Sequence, residues 1–176
     1  MIELVPFTEA DVDRVIAWID SVEALELWTA WSFGYPLTRE HLLAHLRDST
    51  ARGDRQIFKA VETDSGDVVG HIELAWIAPH NHILRIGRVL LAPQCRGRGL
   101  GVEMMRAAMA MAFEQHGAHR VELGVFDVNP RAIACYEKAG FRQEGIRRES
   151  FPASGGACWS EITMSILADE WAQSRG

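Results

Sequence analysis

Residues 89–101, VLLAPQCRGRGLG, are the stretch of this chain best equipped for chemistry. An apolar run leads into a turn dense in glycine and arginine, and a helical pattern begins directly behind it. Free N–H groups at a helix start, together with the positive end of its dipole, attract anions such as a pyrophosphate. Gly97, Gly99 and Gly101 place no side chain between backbone and ligand. Arg96 and Arg98 add fixed positive charge suited to phosphate oxygens. A phosphorylated ligand is therefore expected here.

The elements around this turn read as one mixed α/β domain over residues 1–176. Residues 2–7 form a strand, and Thr8 then caps a helix striped by Val12, Val15, Ile16 and Ile19. Residues 26–36 are aromatic, with Trp28, Trp31, Phe33 and Tyr35, and show no clear period. Thr38 starts a second helix that turns Leu42, Leu43 and Leu46 inward. Residues 55–63 and 68–77 make a hairpin. Residues 83–92 form a further strand, in which Gly87 marks a bulge or a close backbone approach. A long helix covers 100–116, burying Met104, Met105, Ala108, Met111 and Ala112 and stopping at Gly117. Residues 121–128 form a strand, Asn129 and Pro130 start a helix that ends at Gly140, and 141–151 with 158–167 close the chain as a hairpin.

Composition narrows the class. Nearly half of the 176 residues are hydrophobic, which excludes a disordered chain. The longest run without Asp, Glu, Lys or Arg is only twelve residues, 27–38, too short for a membrane span. Acids scattered through the first twenty residues do not fit a signal peptide, and a cytoplasmic place is expected. Cys95, Cys135 and Cys158 make an odd count without C-x-x-C spacing and read as reduced thiols. A net charge of −6 argues against nucleic acid as a partner. Residues 85–101 nevertheless hold Arg85, Arg88, Arg96 and Arg98 without an acid, so a cationic pocket in an acidic body is expected.

Known anion loops can be compared with the turn. The nucleotide P-loop requires a lysine after the last glycine, and none is present. A dinucleotide fingerprint requires G-x-G-x-x-G, whereas the spacing is Gly97, Gly99, Gly101. What remains is Gln94-Cys95-Arg96-Gly97-Arg98-Gly99, a Q-x-x-G-x-G signature that resembles the acetyl-CoA loop of the GNAT superfamily of N-acetyltransferases. Residues 128–141, VNPRAIACYEKAGF, are similar to that family's N-x-x-A-x-x-x-Y-x-x-x-G-F segment. Gly145, Arg147, Arg148 and the strand ending in residues 164–167 resemble its ribosomal-protein and polyamine acetylase branch. H-E-x-x-H is absent, and His41/His45 and His80/His82 do not assemble a metal site, so no metal is expected.

The resemblance implies a central, mostly antiparallel sheet of about seven strands, with two splayed parallel strands and about four flanking helices. It implies acetyl-CoA as cofactor, a primary amine as acceptor (a protein N-terminus, a polyamine or another small amine), direct attack on the thioester, and a homodimer as a candidate assembly. Backbone groups of Val89, Leu90 and Leu91 would bind pantetheine, with Asn129 touching the same arm. Gln94, Arg96, Gly97, Arg98, Gly99, Leu100 and Gly101 would wrap the pyrophosphate, and Tyr136 would direct its hydroxyl at the sulfur, as general acid or as a hydrogen bond to the developing charge. Glu73 is the candidate base, since it alternates onto the face opposite Ile72, Leu74 and Trp76. His71, His80, His82 or water are the alternatives. Trp28, Trp31 and Tyr35, with Glu73, are candidates to line the acceptor pocket. Two other readings are a catalytically silent acyl-CoA-binding module and a transferase for a longer acyl chain.

Overall fold

The computed structural model describes residues 1–174, so the last two residues of the expected domain lie outside the described residues. The chain builds one sheet of seven strands in the order β1-β2-β3-β4-β5-β7-β6. The strands are β1 (Ile2–Pro6), β2 (Arg55–Glu62), β3 (Val68–Ala78), β4 (Ile83–Leu91), β5 (Arg120–Phe126), β6 (Arg142–Pro152) and β7 (Cys158–Leu167). All neighbours pair antiparallel except β4 and β5, the parallel pair at the centre. The expected sheet is present.

The described residues also form six α-helices rather than about four: α1 (Val12–Ala17), α2 (Val22–Thr29), α3 (Arg39–Arg52), α4 (Leu100–Ala110), α5 (Pro130–Ala139) and α6 (Ala168–Gln173). The unexpected α2 occupies the start of the aromatic segment. Ser21 caps it, accepting from the Ala24 N–H at 3.2 Å, a signal that the scattered aromatics obscure. Thr38 caps α3 through a reciprocal pair of 3.3 Å bonds with His41. The long central helix ends in a π-helical turn, Met111–Gln115, before Gly117 turns the chain at a φ of 62°. Its buried stripe is Met104, Met105, Ala108, Met109 and Ala112, with the expected Met111 only half-buried. No described helix is long and apolar enough to cross a membrane.

Helices cover both faces of the sheet. Gly70, Ile72 and Leu74 turn toward α4, and on the other face Glu73 turns toward α3 and His71 toward Phe7 and Trp28 of α2, so all five are buried. Gly70 is the point of closest approach. A Cβ there would lie 2.8 Å from Met104 Sδ and 2.9 Å from the Leu90 carbonyl oxygen. Because one neighbour is backbone, Gly70→Val is expected to force α4 outward and cost about 1–3 kcal/mol, read as a lower midpoint in urea.

Candidate active site

The central strands part soon after they meet. Ile83, Leu84 and Arg85 pair with Arg120, Val121 and Glu122, and the parallel ladder goes no further. A bulge in β4 accompanies the divergence. Between the His71–Leu90 and Glu73–Gly87 pairs, Ile72 opposes two residues, Arg88 and Val89. The left-handed residue is Arg88, with a φ of 45°, and a non-glycine residue in that conformation costs about 1–2 kcal/mol. The bulge thus falls one residue beyond Gly87, where a Cβ would meet only open space. The buried His71 holds the strained peptide, its Nδ1–H donating to the Arg88 carbonyl at 3.0 Å.

Between the parted strands lies a cleft of about 650 Å³, open mouth included. Gly87, Arg88 and Val89 form one wall, Leu123 to Phe126 the other, and Tyr136 and Ala132 of α5 close it. Strand edges that no longer pair offer N–H and C=O groups to a ligand. Of the three β4 residues expected at the cofactor, Val89 lines the cleft, whereas the Leu90 side chain is buried and Leu91 packs beside Gly101.

β4 runs directly into the glycine turn. Gly97 and Gly99 take left-handed φ values of 77° and 84°, with open space where their Cβ atoms would be. Among the described residues, the amides of Gly97, Arg98, Gly99, Leu100 and Gly101 donate to no acceptor in the fold; the first amides behind them, of Val102 and Glu103, turn back to the Gly99 carbonyl. Five unpaired donors at the head of α4 could donate to the oxygens of a diphosphate. Gly101 has a different reason to be glycine. A Cβ on it would lie 3.0 Å from Cys135 Sγ, so it sets the α4–α5 contact.

The expected cationic pocket is largely neutralised by acids from other strands. Arg85 pairs with Glu122 at 2.9 Å, Arg88 with Glu73 at 2.8 Å, and Arg98 with Glu62 at 3.0 Å. Arg96 alone of the four has no acidic partner among the described residues; its Nε donates to the Leu91 carbonyl at 3.4 Å. Gln94 beside it is exposed.

Tyr136 is buried to 8% exposure at the cleft, and its hydroxyl has no hydrogen-bond partner among the described residues. Burial, reinforced by neighbouring Cys135, pushes that hydroxyl well above its ordinary value of 10.0, so it stays a neutral donor. Asn129 caps α5 by accepting from the Ala132 N–H at 3.2 Å and also lines the cleft. The expected cap and the expected position therefore coincide.

Glu73 does not stand at a solvated edge. It is 2% exposed; its Oε1 lies 2.8 Å from His45 Nε2, and its Oε2 accepts from Arg88 at 2.8 Å and Arg55 at 3.1 Å. Burial pushes the carboxyl up, but the His45 bond and the Arg88 charge more than offset it and hold it at about 2. A carboxylate so occupied is a weak proton acceptor, and the expectation that it serves as base loses its footing on those grounds. The histidine alternatives fare no better. Burial lowers the His71 pKa and so weakens it as a proton acceptor, and its Nδ1–H is committed to the Arg88 carbonyl, while His80 and His82 precede β4 where it still pairs with β5.

The aromatic candidates separate. Trp28 lines the cleft, edge-on to His71 at 5.3 Å between centroids, with its buried indole N–H unpartnered among the described residues. Trp31 instead stacks on Phe151 at 5.4 Å, joining Phe126 and Trp159 in a second cluster of rings. Tyr35 is 52% exposed and outside the cleft lining. Two acids escaped sequence reasoning. Glu26 of α2 is buried and accepts the Ser154 amide at 3.0 Å and its hydroxyl as well, tying the helix over the cleft to the β6–β7 turn. Glu161 of β7 lines the cleft from the far side. Neither carries a local motif: Glu26 meets Ser154 from a distant part of the chain, and Glu161 comes to the cleft through the β5–β7 pairing.

The chain is thus an α/β protein with a cleft between two parted central strands and unpaired amides at the head of the helix that follows. The model of the acetyltransferase (GNAT) family matches residues 22–141, and the chain belongs to that family. A spermidine N(1)-acetyltransferase of Vibrio cholerae is 31% identical over 97 residues, 54% of each chain. A streptothricin acetyltransferase of Streptomyces lavendulae is 39% identical over 93 residues, 53% of this chain and 48% of the relative. These matches span about half the length of the relatives. A spermidine N(1)-acetyltransferase of Escherichia coli K12 is 26% identical over 156 residues, 88% of this chain and 80% of the relative. The crystal structure of the V. cholerae spermidine N-acetyltransferase in complex with CoA and spermine shares the fold, with a TM-score of 0.84 at 19% identity, covering 97% of this chain and 98% of that one.

Proposed function

We propose that this chain is an acetyl-CoA-dependent N-acetyltransferase acting in the cytoplasm on a primary amine of a small cationic molecule. The observation that carries the reading is the row of five unpaired amides at the head of α4, next to a cleft closed by the unpartnered hydroxyl of Tyr136. Family membership supports it, as do relatives named for spermidine and streptothricin.

Acetyl-CoA would supply an acetyl group activated as a thioester. The chain's own residues do the rest. Amides 97–101 and Arg96 hold the diphosphate, and the open edge of β4 near Val89 orients the arm that follows. Tyr136 keeps a proton at Oη for a departing thiolate. Glu73, with His71, keeps the β4 bulge in place as a positioning residue. The test is thiol release from acetyl-CoA with a panel of amines that includes spermidine. Tight CoA binding without release for any amine would favour the silent acyl-CoA-binding module instead.

The arginines give a differential prediction. Arg96→Ala is expected to weaken CoA binding about tenfold, the loss of one charge-assisted contact of about 1.5 kcal/mol. Arg98→Ala should cost less, because Glu62 already occupies that guanidinium. Isothermal titration with CoA at two salt concentrations reads both, and equal losses would contradict the assignment.

A further inference from the structure

We infer that Glu161 selects the acceptor: its free carboxylate oxygen receives the ammonium group of a cationic amine inside the β4–β5 cleft. The inference deepens the proposed transferase reading and rests on it for the identity of the cleft as the acceptor's route.

Glu161 lies on β7, opposite Phe126 of β5, while Gly124 of β5 opposes Thr163. From there its side chain leans along the strand and crosses Gly124 to reach the cleft. A Cβ on Gly124 would stand 3.1 Å from Glu161 Cδ and 3.3 Å from Cγ, and would overlap Oε1 outright. Gly124 does not have a left-handed φ, so turn geometry does not call for glycine at this site. The path of the carboxylate does.

The two oxygens differ. Oε2 accepts from Arg147 at 2.9 Å, which fixes the carboxylate plane. Oε1 has no donor among the described residues, although the side chain is only 25% exposed. Nearby acids are already engaged, Glu73 by His45, Arg55 and Arg88, and Glu26 by Ser154. The other charged residue lining the cleft is Arg88, whose Nη1 is turned to Glu73. The open negative charge of the cleft therefore belongs to Glu161. A partly desolvated carboxylate facing a cavity attracts an ammonium donor more strongly than one in bulk water.

The experiment compares wild type, Glu161→Gln and Gly124→Ala with spermidine, a polycation, and hydroxylamine, which is uncharged at neutral pH. Glu161→Gln should lower the preference in kcat/KM for spermidine over hydroxylamine about tenfold or more, the loss of one charge-assisted bond, mainly through a higher KM for spermidine. Gly124→Ala should change the preference in the same direction, because its methyl group displaces the carboxylate while leaving it in the sequence. An unchanged preference in Glu161→Gln, or equal losses on both acceptors, overturns the inference. Calorimetric titration of spermidine into the CoA-bound protein reads the same contact without turnover. Binding by wild type that weakens about tenfold in Glu161→Gln supports the inference even if no acetyl moves, in which case only the transferase reading falls. No binding by wild type, or equal binding by both proteins, overturns it.

Discussion

Replacing Tyr136 with phenylalanine is expected to lower turnover about a hundredfold or more while leaving the fold and CoA affinity almost untouched. The separation follows from where the hydroxyl stands. It has no hydrogen-bond partner among the described residues, so its removal strands no donor or acceptor in the interior, and the ring keeps its edge contact with Phe141 at 6.4 Å. Stability should therefore move by no more than about 0.5 kcal/mol. What disappears is a neutral O–H at the cleft, available to a leaving group. Since burial raises its pKa above the ordinary 10.0, wild-type activity should not fall on the alkaline side through loss of this proton near pH 10. Steady-state kinetics, CoA calorimetry and a thermal melt together test the prediction. Unchanged turnover would remove the acid role, whereas a parallel loss of melting temperature would make Tyr136 a packing residue.

The helix that carries Tyr136 was legible because its bounds are local, whereas the role expected of the tyrosine came with the family resemblance. Asn129, Pro130 and Gly140 bound one ten-residue helix, and that helix fixes where the tyrosine points whatever the rest of the chain does. The glycine turn was legible for the same reason. Left-handed φ values at Gly97 and Gly99 and unpaired amides at a helix start are consequences of a few consecutive residues. Period-2 patterning likewise marked several individual strands, since it does not depend on which strand lies alongside, whereas their assembly into one seven-stranded sheet was an expectation from the family resemblance.

Charge was not legible in this way. Counting arginines along residues 85–101 gives four cations and no acid, yet three of them are paired across strands with Glu62, Glu73 and Glu122. Which acids come opposite is decided by sheet order and register, and neither is encoded locally. Glu73 shows the same limit from the other side. Alternation placed it correctly on the face away from Ile72 and Leu74, but solvent exposure depended on α3, which brings His45 over that face. Gly124 and Glu161 could not be connected at all without the β5–β7 pairing. Gly87 drew attention to the bulge because glycine is the expected residue there, whereas the structure imposes the strain on Arg88 and secures it with His71.

The largest expected loss of stability therefore lies at Glu73. Glu73→Gln keeps the shape but removes the charge facing Arg88 and Arg55, whose side chains are 17% and 24% exposed. Breaking one partner out of a buried ion pair costs about 3–5 kcal/mol, and the residual exposure of the arginines places this case near 3. For a chain of this size that corresponds to a fall of about 6–12 °C in melting temperature. The pH dependence has a definite sign. With its folded pKa held at about 2 against an ordinary 4.5, the carboxylate contributes stability that is fully present above pH 4.5 and is lost as pH falls toward 2. The gap between wild type and Glu73→Gln should accordingly be wide at pH 7 and narrow through that acid window in denaturant titrations. Kinetics separate positioning from proton transfer. A group that titrates near 2 cannot set a limb of the rate profile around neutrality, so Glu73→Gln should lower kcat/KM without moving either limb. A limb that shifts in this variant would restore Glu73 as the base. An unmoved profile together with the acid-dependent stability gap would establish it as the anchor beneath the strained Arg88 peptide, holding open the strand edge proposed for the cofactor.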